Sequence, residues 1–155
     1  MLYARRKGVR RVQYAITQER KNLTTWTPLF KGAGGGFRID GAEYTVDTHG
    51  TASQALLTAE DGDVVAVAHG LGRTPWTVHA GGWTYTFVRS IERWSEQLLV
   101  ADGQQVGVVR KVATRRKRWA EAELPDMDPP VAVFVVAVVL TMWSGSDVTA
   151  GSALN

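Results

Sequence analysis

The sequence predicts a mostly β chain, a closed sheet of short strands wrapped around one buried C-terminal helix. Three observations carry this. Turn signals recur at short intervals: Gly34-Gly35-Gly36, Asp40-Gly41, Asp61-Gly62, Gly70 with Gly72, Gly81-Gly82 and Asp102-Gly103. Between them lie short runs rich in Val, Thr, Tyr, Phe and Trp, residues that suit a pleated surface, while Gly and Asp-Gly supply the positive φ angles of tight hairpins. One run alone, residues 131–143, is apolar throughout and breaks the pattern.

The strand candidates, taken in order, centre on Gln13, Trp26, Phe37, Tyr44, Leu56, Val65, Thr77, Tyr85, Leu98, Val108 and Trp119. Several alternate cleanly. Trp83, Tyr85 and Phe87 fall on one face and Thr84, Thr86 and Val88 on the other, and Phe37–Asp40 and Glu43–Asp47 flank Asp40-Gly41 with a period of two. Leu98–Ala101, Asp102-Gly103 and Gln104–Val109 form the strongest short-range hairpin signal in the chain. No amphipathic helix of ten or more residues precedes Leu124. Evenly spaced strands with glycine turns point to a sandwich or a barrel.

The six Val of the run 131–143 argue for a strand, the alternative reading. The run is longer than most strands, however, and Pro129-Pro130 ahead of it can pre-set a helix start. A helix apolar all round must be buried all round. In an all-β chain the place for it is inside the closed sheet. It is too short for a bilayer span of roughly 20 residues, so no transmembrane span is expected. The six Trp residues (26, 76, 83, 94, 119 and 143) are expected to fill the gap between helix and wall, with Trp143 at the helix exit able to anchor at a rim instead.

The chain has 155 residues, no Cys and a formal net charge of +3, with 45% hydrophobic residues. One domain with a sizeable core fits, and disorder does not. Without Cys there is no disulfide scaffold, thiolate metal site or cysteine nucleophile. No apolar signal region follows Arg5-Arg6, so a cytoplasmic setting is expected. The organisation expected is a basic N-terminal arm (1–11), one barrel domain (12–143) and a loose small-residue tail (144–155).

Charge is segregated. Residues 1–31 carry +7, residues 38–109 carry −5 and residues 110–155 carry +1. Arg110, Lys111, Arg115, Arg116, Lys117 and Arg118, just before Trp119, form the sharpest functional candidate, because such clusters attract phosphates on lipid headgroups or nucleic acid. Trp119 could then sit at a headgroup interface or stack on a base. The competing reading is a solvated hairpin turn with Trp119 sent into the core. Arg5, Arg6, Lys7, Arg10 and Arg11 form a second basic cluster. If both clusters share a face, a phosphate-binding surface results; if they oppose each other, none does.

Other constellations carry less. Lys31-Gly32-Ala33-Gly34-Gly35-Gly36 lacks the Gly-Lys-Ser/Thr ending of a P-loop. Nothing in His49, His69 and His79 gives two metal ligands on one face at the usual spacing, so neither metal nor cofactor is expected. His79 with Ser90, Ser95, Asp63 and Asp102 could be read as triad parts, but no nucleophile-elbow motif surrounds either Ser. Glu60, Asp61 and Asp63 straddle Gly62 as in a solvated turn. No catalytic group is assigned.

The order and spacing of Phe37-Arg38-Ile39-Asp40-Gly41 with Tyr44-Thr45-Val46, Gly62–Ala68, Trp76-Thr77-Val78, Gly82–Phe87, Asp102–Val108, Ala122-Glu123-Leu124-Pro125 and the apolar run 131–143 resembles the tubby C-terminal-like superfamily. That group gathers tubby domains, phospholipid scramblases and LURP-one-related proteins, and the likeness is to its LURP-one-related and small bacterial members. It covers roughly residues 36–143. It implies a twelve-stranded barrel threaded by a hydrophobic C-terminal helix, and a non-enzymatic binding or scaffold role at phospholipid headgroups. The chain lacks the cysteine-rich stretch of scramblases, and Asp126-Met127-Asp128 is too sparse for their calcium segment. Nucleic-acid binding through 110–118 is the alternative role, and a small-ligand-binding barrel the third.

Overall fold

A computed structural model describes residues 1–7, 12–28, 35–49, 53–93, 95–113 and 118–153, with side chains for all of these except 49, 113, 118, 119 and 144–153. Twelve antiparallel strands form a meander: β1 (Leu2–Lys7), β2 (Gln13–Gln18), β3 (Lys21–Pro28), β4 (Gly35–Ile39), β5 (Ala42–His49), β6 (Gln54–Ala59), β7 (Val64–His69), β8 (Trp76–Ala80), β9 (Trp83–Arg89), β10 (Gln97–Ala101), β11 (Gln104–Ala113) and β12 (Arg118–Glu123). Each pairs with its neighbours in sequence, and β1 pairs with β12, so the sheet closes and no edge is left open. The helix α1 (Pro129–Ala153) runs through the barrel.

Alternation builds the wall. Leu2 and Ala4, Phe37 and Ile39, Ala55 and Leu57, Ala66 and Ala68, Trp76 and Val78, and Ala120 and Ala122 are buried at every second position. Many of these are alanines. Twelve strands enclose more than side chains alone can fill, and small wall residues leave the width that a helix of roughly 10–12 Å needs. Residues 131–140 of α1 are buried on every side, and Val133, Phe134, Val135, Ala137 and Val139 are fully inaccessible. Each fully buried Val or Phe is worth roughly 1.5–3 kcal/mol. This offsets the weak helix propensity of so many β-branched residues.

Cross-strand pairs fix the register. Trp76 lies opposite Phe87, Tyr14 opposite Trp26 and Phe37 opposite Tyr44, and each pair is stacked, with centroids 4.4, 5.7 and 5.3 Å apart. The buried polar residues Thr24 and Gln97 are answered by hydrogen bonds, whereas Trp26 Nε1 and Arg110 Nε are buried without a hydrogen-bond partner. Trp76 Nε1 donates to Gln97 Oε1 at 2.9 Å. Strands β3 and β4 share only two register pairs, and below them Thr24 Oγ1 donates to Arg38 O and accepts from Arg38 N, holding the strands together. Gly107 sits where a Cβ would lie 2.5 Å from Glu123 O, so the close β11–β12 approach admits no side chain.

Three expectations are corrected. Residues 2–7 are the closing strand of the barrel, not part of a free arm. Only Leu2 and Ala4 are apolar at inward positions there, and the basic residues that follow hid the alternation. The helix is longer than 131–143 and runs on to Ala153, so 144–153 are not a loose tail; an established helix propagates at little cost when no Pro interrupts it. The tryptophans do not all fill the gap. Trp26 and Trp76 do, but Trp83 is 70% exposed because it begins β9 at a rim.

Candidate functional site

An even-stranded meander sorts its connections between two rims. At one rim the chain reverses at 19–20, 40–41, 60–63, 81–82 and 102–103, and the linker 124–128 leads into α1. Glu19-Arg20, Asp40-Gly41, Gly81-Gly82 and Asp102-Gly103 all have positive φ at both positions, the type I′ geometry that matches strand twist. At the other rim the connections are 8–12, 29–34, 50–53, 70–75, 90–96 and 114–117. We call these the turn rim and the loop rim. Counted over the described residues of those segments, the turn rim carries a formal charge of −7 and the loop rim none.

Closure of the sheet answers whether the two basic clusters meet. In the register Arg5 pairs with Trp119, which pairs with Val112, and Ala4 pairs with Ala120, which pairs with Lys111. Strand β1 runs toward the loop rim and ends at Lys7; β11 runs the same way and ends at Ala113, where β12 starts back from Arg118. The strand ends that bracket both clusters are therefore neighbours on one rim. Arg10, Arg11, Arg115, Arg116 and Lys117 lie outside the described residues, as does the glycine run from Lys31 to Gly34. Of Arg118 and Trp119 only the strand position is described.

The described cations differ in setting. Arg5, Arg6 and Lys7 are exposed. Arg110 lies farther from the rim and faces Glu121 across the strand pair, Nε to Oε2 3.9 Å. Lys111 Nζ sits 5.6 Å from the centroid of Trp143, a cation–π distance. Trp143 Nε1 donates to Ser95 O at 2.9 Å, which ties the helix exit to the β9–β10 connection. That connection is itself ordered: Ser90 N donates to Glu96 O at 3.0 Å, Arg93 N to Ser90 Oγ at 3.1 Å, and Arg93 pairs with Glu96 at 3.2 Å. At its tip Ile91 is 94% exposed. Ile91 was not singled out from the sequence, because a lone apolar residue between polar ones carries no signal.

The remaining candidates are separated. Asp63 and Asp102 belong to the turn rim and Ser90 and Ser95 to the loop rim, so no triad assembles around His79. Glu60, Asp61 and Asp63 are exposed, and Asp61 Oδ1 accepts from Asp63 N at 3.0 Å, a solvated turn. A cleft of about 50 Å³ lies beside Met127, Pro129 and Ala132 at the turn rim; small-molecule sites run to roughly 300–1,000 Å³. No helix among the described residues is long and apolar enough to cross a membrane.

One expectation about histidine is corrected. His69 and His79 are on one face after all, on the outer wall, with ring centroids 5.4 Å apart at 67°. Residues ten apart in sequence meet because β7 and β8 are adjacent, with Val67 opposite His79 and His69 opposite Thr77. Among the described residues there is no group of three or more potential metal ligands.

Comparison with known proteins adds no relative: no family model, no curated protein and no solved structure matches the chain.

Proposed function

We propose that this chain is a non-enzymatic, tubby-like binding module whose loop rim docks on anionic phospholipid headgroups at a membrane surface. The observation that carries the reading is the adjacency of β1 and β12, which sets the strand ends bracketing both basic clusters side by side on one rim. Near an anionic leaflet each Lys or Arg contributes about 1 kcal/mol, so two clusters acting together outweigh either alone. Ile91, held out on a hydrogen-bonded turn at the same rim, supplies an apolar tip that can enter the headgroup region. The opposite rim, with its surplus of carboxylates, repels the same surface. The strand number and the threaded helix are those implied by the resemblance to tubby, scramblase and LURP-one-related proteins.

Sedimentation with neutral and anionic liposomes at low and high salt tests this. The wild type is expected to bind anionic vesicles alone and to release in high salt. The variant with Ala at Arg115, Arg116, Lys117 and Arg118 loses that binding. No binding by the wild type removes the proposal. Equal salt-sensitive binding to oligonucleotides, with no response to headgroup, would favour a nucleic-acid module.

A further inference from the structure

The His69–His79 pair lies on the outer wall, on strands β7 and β8, which are not neighbours of β1, β11 and β12, the strands that bracket the basic clusters. We propose that these two imidazoles form a binding site for a divalent late-first-row cation of the Zn²⁺, Cu²⁺ or Ni²⁺ class, with water completing the coordination.

Four observations carry this. Both side chains are exposed, so an ion reaches them without any rearrangement. Two imidazole nitrogens each about 2.0–2.1 Å from one tetrahedral ion place their ring centroids roughly 5 Å apart. The observed separation is 5.4 Å. An edge-to-face angle of 67° is compatible with two nitrogens converging on a point between the rings. His79 Nδ1 lies 3.0 Å from Thr84 Oγ1, on the strand directly opposite. With Nδ1–H donating to that hydroxyl, the lone pair left on His79 is the one at Nε2. Metal-binding histidines are oriented in this way by a hydrogen bond at the other nitrogen.

The ligand type selects the ion. Imidazole suits Zn²⁺, Cu²⁺ and Ni²⁺, whereas Mg²⁺ and Ca²⁺ are held chiefly by carboxylates. The residues opposite the pair, Gln54 and Thr77 for His69 and Val67 and Thr84 for His79, include none. Around the pair the outer wall presents Val67, Thr77, Thr84 and Thr86, none of them a carboxylate. Strands β7 and β8 are tied by four register pairs, so the two rings stand on a firm base.

The test is titration of the full chain with Zn²⁺ and with Ni²⁺ by calorimetry, without lipid, on the wild type and four single variants. One saturable site is expected. His69→Ala and His79→Ala each weaken it at least tenfold, and His49→Ala, on β5, leaves it within twofold. Thr84→Val weakens it by about tenfold through the lost orienting bond. Cu²⁺ bound to the wild type shows two nitrogen couplings by electron paramagnetic resonance, and His79→Ala removes one. His69, His79 and Thr84 are exposed, and circular dichroism checks that each of the four variants remains folded. No saturable binding by the wild type overturns the proposal. So does equal affinity in all three histidine variants, or loss confined to His49→Ala. Liposome binding is expected to be unchanged in His69→Ala, which keeps this test separate from that of the loop rim.

Discussion

The two rims of the barrel solve the same problem, reversing the chain between antiparallel strands, in different ways. The turn rim does it four times in two residues, each with positive φ. The loop rim takes four to seven residues for every reversal. A two-residue type I′ turn has almost no freedom, and its sequence is dictated by backbone geometry. A longer connection is less constrained, so its side chains can be chosen for what they meet outside the protein. Charge does not simply follow turn length: the two-residue turns carry −2 of the turn rim's −7, from Asp40 and Asp102, and the segments 60–63 and 124–128 carry the rest. Substitutions at the turn rim should act on stability, and those at the loop rim on binding.

The largest effect is expected between the rims, in the helix that joins them. Val135 is fully inaccessible inside the barrel. Val135→Asp places an unpaired carboxylate there, at a cost comparable to a domain's whole stability. The variant should give no cooperative thermal transition. A soluble Val135→Asp protein that unfolds cooperatively would show that the helix is dispensable to the barrel, and with it the link between the rims.

The next effect is smaller and has opposite signs at two turns of one rim. Gly103 has φ +76° with nothing within 4 Å of a built Cβ, so Gly103→Ala suffers backbone strain alone. About 1 kcal/mol of stability should be lost. Arg20 already holds φ 71° with a side chain, so Arg20→Gly relieves that strain. It should gain roughly 0.5 kcal/mol, less than Gly103→Ala loses because glycine also loosens the unfolded chain. Urea denaturation measures both. Neither should alter vesicle binding, and a change in binding without a change in stability would break the division of labour between the rims.

How much of this was legible follows from the range of each signal. Asp40-Gly41, Asp102-Gly103, the alternation of Phe37 and Ile39, and the apolar run 131–143 are local patterns, and the barrel and its helix could be read from them. Strand β1 could not, because Leu2 and Ala4 alone alternate before three basic residues. The adjacency of the strand ends that bracket the basic clusters depends on β1 pairing with β12, more than a hundred residues apart in sequence. The His69–His79 pair depends on a diagonal between neighbouring strands. No spacing rule for a single helix or loop encodes either. The site was harder to read than the fold because it is made of pairings between strands.

The smallest expected effect probes the acidic rim's field directly. Tyr85 lies on β9 near the turn rim, and its phenol is held above the usual value of 10.0. Desolvation by partial burial is the larger cause, and the charges of Asp128 and Asp126 add to it. A phenol whose pKa is higher folded than unfolded prefers the neutral form in the native state. The stability this contributes is present below pH 10 and is lost as pH rises through the folded pKa. Replacing Asp126 and Asp128 by Asn removes the smaller causes and leaves the larger. The Tyr85 titration, read as phenolate absorbance against a Tyr85→Phe control, should therefore move down yet remain above that of a free tyrosine. High salt should produce a similar partial shift in the wild type and almost none in the Asn variant, because it screens charge but leaves burial in place. A midpoint indifferent to both changes would mean that the carboxylates of this rim are too well solvated to be felt even by a neighbouring side chain. The contrast in charge between the rims would then shape what approaches the barrel from outside without reaching into it.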